Sequence, residues 1–128
     1  MKLTKSADFA LRIVIHLAQN PSGSTMPFLA ETLKVPYNNL SKLIQQMARG
    51  GIIQTRQGKN GGVALISPEN LSIKDVVQLI DGPTRLSECL KNHDFCSRVG
   101  ECKLKGVLAD IQHDIDHLLD SYKIAQLV

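Results

Sequence analysis

Residues 27–66 read PFLAETLKVPYNNLSKLIQQMARGGIIQTRQGKNGGVALI, and their punctuation decides the fold. Pro27 opens a short helical run to Leu33, since proline is tolerated in a first helical turn, and the run should bury Phe28, Leu29 and Leu33. Lys34-Val35 makes a tight connection. Pro36 then opens a second run to about Arg49, with Leu40, Leu43, Ile44 and Met47 on one face. Gly50-Gly51 ends it, because glycine enters the left-handed region without a steric penalty. Ile52–Arg56 and Val63–Ile66 are β-branched strands, and Gln57-Gly58-Lys59-Asn60-Gly61-Gly62 between them predicts a hairpin with a basic tip.

Working outward, Phe9, Ala10, Ile13, Val14, Leu17 and Ala18 recur at helical spacing, so a helix is expected from about Ala7 to Gln19. Thr4 or Ser6 can cap it, and Asp8 suits the positive end of its dipole. Asn20-Pro21-Ser22-Gly23-Ser24 reads as a loop. Downstream, Ser72 caps a helix over Ile73–Ile80, closed by Asp81-Gly82-Pro83. Thr84–Cys102 has no clean period. A final helix is expected from Lys103 to Tyr122 or beyond, with Leu104, Val107, Leu108, Ile111, Ile115, Leu118, Leu119 and Tyr122 as its apolar stripe. Such a stripe either pairs with a second copy or folds back on the chain's own core; its length favours dimerisation. The fold class is thus mainly α with a small β-hairpin. A winged helix-turn-helix spans 1–82, a cysteine-bearing loop 83–102, and a dimerisation helix with its tail 103–128.

Short helix, turn, second helix and hairpin form a device for reading duplex DNA. An α-helix fits the major groove, and its exposed N-terminal side chains reach base edges. Tyr37, Asn38, Asn39, Ser41 and Lys42 are the early exposed positions here: asparagine pairs bidentately with adenine, while Ser41 and Lys42 suit phosphates. At the hairpin, Arg56, Lys59 and Asn60 can approach a minor groove. Residues 1–65 carry eight Lys or Arg and two acids, whereas 66–128 carry seven and ten, so the basic charge sits on the predicted DNA-binding half. A dimer would present two heads to a pseudo-palindromic operator. No aromatic platform for single strands is visible. No segment approaches the roughly 20 apolar residues of a membrane span, and no signal-peptide core follows Met1, so a cytoplasmic protein is expected. An enzyme is not expected: the chain has no Cys-x-x-Cys, no phosphate-cradling loop followed by Lys-Ser or Lys-Thr, and no dinucleotide fingerprint. A protein-interaction module using the winged helix without DNA is the further alternative, against which the basic first half argues.

The three cysteines, Cys89, Cys96 and Cys102, fall within fourteen positions as Cys-x6-Cys-x5-Cys. An odd number in a reducing compartment argues against a disulfide framework. Structural zinc sites use closer pairs, while wide spacing on a loop suits an iron–sulfur cluster. Zinc and redox-active or inert thiols remain the other readings.

Lys2-Leu3-Thr4 leading to Asp8-Phe9-Ala10-Leu11-Arg12, then Gly58-Lys59-Asn60-Gly61-Gly62-Val63-Ala64-Leu65, then the cysteine loop and long helix, resemble the Rrf2 family of bacterial regulators over essentially the whole chain. One departure is Gln57, where the family often has Arg before the wing glycine. The resemblance implies a homodimeric winged-helix regulator, a repressor by this reading, with a cluster held by Cys89, Cys96 and Cys102. In IscR-like members a histidine three residues after the last cysteine completes the set, but Lys105 stands there. In NsrR-like members, to which Ser87-Glu88-Cys89-Leu90, Glu101-Cys102-Lys103-Leu104 and Leu119-Asp120-Ser121-Tyr122 are more similar, the fourth ligand is an N-terminal aspartate of the other subunit, and Asp8 stands at that place. His93 is an alternative within the loop, while His113 and His117 are expected to be structural. The NsrR-like pattern implies a [4Fe–4S] rather than [2Fe–2S] cluster and nitric oxide as the effector; an iron- or redox-responsive regulator is the alternative.

Overall fold

A computed structural model describes residues 2–57, 62–87, 90 and 102–128. Helix α1 runs Lys5–Gln19 and buries Ala7, Ala10, Ile13, Val14 and Leu17, the face its periodicity predicts. It starts two residues earlier than expected because Thr4 is its cap: Thr4 Oγ1 accepts the Ala7 N–H at 3.1 Å. The same hydroxyl donates to the Asp81 carboxylate, which fastens the start of α1 to the far end of another helix.

The segment after α1 is more than a loop. Ser24 pairs with Val63 through two backbone N–H···O bonds of 2.9 Å each, adding a third, one-residue strand position to the hairpin. Helix α2, Met26–Leu33, is capped by Thr25 and buries Leu29. The expectation for Phe28 fails: it is 53% exposed. Leu29 occupies the inward position, and one residue is about 100° of helical rotation, so Phe28 turns out to lie against His16, ring centroids 5.8 Å apart. Leu33 is half-buried. Lys34 closes α2 in the left-handed conformation, φ 56°, and sets the turn into α3, Tyr37–Arg49.

Helix α3 buries Leu40, Leu43, Ile44 and Met47 as expected. Strands β1, Ile53–Arg56, and β2, Gly62–Leu65, pair antiparallel with Ile53 opposite Leu65 and Arg56 opposite Gly62. Helix α4, Ile73–Asp81, begins with a reciprocal box in which Ser72 and Asp75 bond each other's N–H groups, each at 3.0 Å. Helix α5, Lys103–Ser121, buries none of its residues. The chain then straightens: Ile73 N–H bonds the Tyr122 carbonyl, and Ile124 N–H bonds the Leu71 carbonyl at 2.8 Å. Ile124 enters one core with Ile13, Leu17, Leu29, Leu40 and Met47 and is fully buried. No helix among the described residues is long and apolar enough to cross a membrane.

Gly62 is demanded by the Ser24 pairing. A Cβ there would collide with the Ser24 carbonyl oxygen, with the Ser24 carbonyl carbon at 2.9 Å, and backbone cannot step aside as a side chain could. Gly62→Ala should therefore cost about 1–3 kcal/mol. Thermal unfolding checks this, at roughly 4 °C of Tm per kcal/mol for a chain of this size. An unchanged Tm would mean that the Ser24 pairing does not contribute.

Candidate nucleic-acid interface and metal centre

Helix α3 divides cleanly. Its apolar face is locked into the core, so its other face has no freedom to turn inward. Tyr37, Asn38, Asn39 and Lys42 are exposed at its start, and Ser41 is half-buried beside the hairpin. The N-cap is Pro36, and no side chain caps the helix. Asn38 and Asn39 are therefore not spent on capping, and the first N–H groups of α3 stay open alongside them. A protruding polar helix start with free amides and a lysine is chemically suited to base edges and phosphates.

Arg56 ends β1 with its side chain exposed, on the hairpin side of a groove shared with Ser41 and Gln45 of α3. The structure thus brings Ser41 and Arg56 to one surface. Lys59 and Asn60 lie outside the described residues. Sequence reading passed over Thr25, Gln45 and Thr55, which line the same groove. A signal for Gln45 was present, since it lies one turn after Ser41 on the same face of α3.

Of the expected cluster ligands, Cys102 is described. It is half-buried and stands at the N-cap of α5, where no side chain occupies the capping site. Anionic iron–sulfur ligation there would meet the positive end of the α5 dipole. The donor type fits an iron–sulfur cluster. Cys89, Cys96 and His93 lie outside the described residues. Asp8 sits in the first turn of α1, about half exposed, and bonds Arg12 at 2.8 Å. Arg12 in turn lies 6.0 Å from the Phe9 ring. An exposed pair one turn apart is worth only about 0.3–0.5 kcal/mol, so Arg12 orients Asp8 without withholding it. His113 and His117 are exposed on α5. Among the described residues no three His, Cys, Asp or Glu side chains converge as a metal site.

Residues 3–128 match the family described as Rrf2, iron-dependent transcriptional regulator. The chain is 32% identical over 132 residues to the HTH-type transcriptional regulator NsrR of Shouchella clausii (strain KSM-K16), covering 100% of this chain and 89% of that protein. Among solved structures it is similar to T. potens IscR, with a TM-score of 0.78 and 19% identity over 98% of this chain and 84% of the other. It is also similar to the oxidised form of Staphylococcus aureus CymR, with a TM-score of 0.78 and 21% identity over 99% and 95%. The global cysteine regulator CymR of B. subtilis gives a TM-score of 0.77 and 18% identity over 100% and 98%. The architecture is that of winged-helix regulators: mostly helical, with a two-stranded antiparallel hairpin.

Proposed function

Because the chain belongs to the Rrf2 family of transcription regulators, we propose that it is a homodimeric repressor that binds a pseudo-palindromic DNA operator and senses nitric oxide through a [4Fe–4S] cluster. The observation that carries the DNA-binding half is the unspent polar start of α3 beside Arg56 of the hairpin. Regulators of this family bind DNA and are typically dimeric, and their designation is that of a transcription regulator rather than an enzyme. The sensing half rests on likeness to NsrR and on the three cysteines.

In this reading residues 1–82 are the DNA-binding unit, 83–102 the cluster loop and 103–128 the dimerisation helix and tail. Tyr37, Asn38 and Asn39 address base edges, Ser41 and Lys42 hold phosphates, and Lys59 and Asn60 reach the minor groove. Cys89, Cys96 and Cys102 hold the cluster, with the partner subunit's Asp8 as fourth ligand. Such a cluster would supply iron that can react with nitric oxide. Cys102 is the first residue before α5, so any displacement of the cysteine loop is passed directly to the dimerisation helix. The Leu86 N–H bonds Gln112 Oε1 of α5 at 3.0 Å, a second tie between that loop and the helix. A change in helix position alters the spacing of the two heads, and a coupling of a few kcal/mol is enough to switch operator occupancy.

Anaerobic purification with iron and sulfide analysis, absorbance and a nitric-oxide titration tests the proposal. About four irons and four sulfides per subunit are expected, with a broad visible band that nitric oxide bleaches. Cys102→Ser should lose most of the iron, and Asp8→Ala should retain less cluster while leaving thermal stability within about 0.5 kcal/mol. Two irons per subunit, or indifference to nitric oxide, would favour the iron- or redox-responsive reading, which the iron-dependent family description also suits. A colourless, iron-free protein would leave the DNA-binding reading alone.

A further inference from the structure

Between α3 and the hairpin runs an open groove of about 390 Å³. The buried Ile44 and Val63 floor it, and the exposed Thr25, Gln45, Thr55 and Arg56 rim it. Past Arg56 it continues into a narrower recess of about 100 Å³, which Ser22 and Ser24 also line. Among the described residues, none that lines either space carries a negative charge.

The geometry of duplex DNA says what belongs there. Neighbouring major and minor grooves are separated by one sugar–phosphate strand. A protein that places α3 in the major groove and its hairpin at the adjoining minor groove must seat that strand on the surface between them, and that surface is this groove. Its apolar floor suits deoxyribose, and its rim of neutral donors with one guanidinium suits phosphate oxygens. Thr25 is prepared for the task, because its hydroxyl oxygen already accepts the Phe28 N–H and its O–H is left to donate outward. A groove this open would enclose little of a small apolar ligand, which argues against that occupant.

We infer that this groove is a backbone seat for the DNA strand, with Arg56 bound to a phosphate rather than inserted in the minor groove, and with Thr25, Gln45 and Thr55 as further backbone contacts. The inference rests on the DNA-binding reading above and adds residues to it.

The test starts from a duplex enriched out of a random-sequence pool by the wild-type protein under anaerobic conditions. Binding to that duplex and to a scrambled one is measured across a salt series for wild type, Arg56→Gln and Thr55→Val, together with phosphate-ethylation interference. Arg56→Gln should weaken binding to both duplexes alike, by about tenfold, and should reduce the salt slope by about one. It should also lose sensitivity to ethylation at one phosphate per half-site, on the strand between the base-contacted major groove and the adjoining minor groove. Thr55→Val should lessen sensitivity at that phosphate or its neighbour without changing the salt slope. If Arg56→Gln loses sensitivity at no phosphate, or relaxes a preference for A·T pairs instead, the backbone seat is wrong and DNA binding stands. If wild type enriches no duplex and shows no salt-dependent binding, the DNA-binding reading falls, and the seat with it.

Discussion

Replacing Val107 and Ile111 together by glutamate should convert a dimer into monomers and lower operator affinity by about 10²–10⁴-fold, the advantage that linking two heads confers. Leu104, Val107, Ile111 and Leu118 are 62%, 53%, 43% and 58% exposed within one protomer, and they follow one another at spacings of three, four and seven residues. That is the spacing of a helix-packing seam, which the proposed dimer would use. Exposed apolar stripes of this extent mark interaction surfaces. Two glutamates in the seam would bring like charges together in a desolvated interface, which costs several kcal/mol. Sedimentation velocity reads the oligomeric state, and fluorescence anisotropy reads the affinity. Because neither side chain is buried in the protomer, the circular dichroism of the variant should stay helical, so that loss of dimer is not confused with loss of fold. A variant that remains dimeric and binds its operator normally would show that the seam lies elsewhere.

The second large effect concerns the other end of α5. Ile124→Ala should destabilise the protein by about 2–5 kcal/mol, the range for removing a fully buried isoleucine side chain beyond its Cβ. Against a typical total of about 5–15 kcal/mol this is a severe loss from a residue four positions before the last one described. The reason is its place in the central core, supported by its N–H bond to Leu71 and by the neighbouring bond from Ile73 to Tyr122. Urea denaturation gives the measurement, and a loss below about 1 kcal/mol would mean that the chain end packs only loosely. Ala125→Ser, at an exposed neighbouring position, should stay within about 0.5 kcal/mol and serves as the control.

Ile124 also marks where the sequence stops being legible. Helices α1, α3 and α4 could be placed because each writes its buried face as a local period and its start as a Thr, Pro or Ser signal. Lys123-Ile124-Ala125-Gln126 has no period and no turn chemistry; what buries Ile124 is a partnership with residues more than fifty positions away. Ser24 was hidden for the same reason, since its pairing with Val63 is made across the fold and leaves no mark in Asn20–Ser24 itself. Phe28 misled because size alone suggests burial, whereas phase on α2 gives the inward place to Leu29. In the candidate site, the polar start of α3 was readable from its contrast with an apolar back. Thr25 and Thr55 were not, because a groove wall exists only once α2 and the hairpin meet. Asp8 was readable as a helix-start acid, and its pairing with Arg12 follows from one-turn spacing.

Among the described residues, the Ser24 pairing covers one side of the hairpin and leaves β1 as the open border of the sheet. An open border is a template on which foreign chains can polymerise, and this one is poorly suited to that. It is four residues long, and Gln54, Thr55 and Arg56 all face solvent. With a border so poorly suited to pairing, self-association through the hairpin is discouraged.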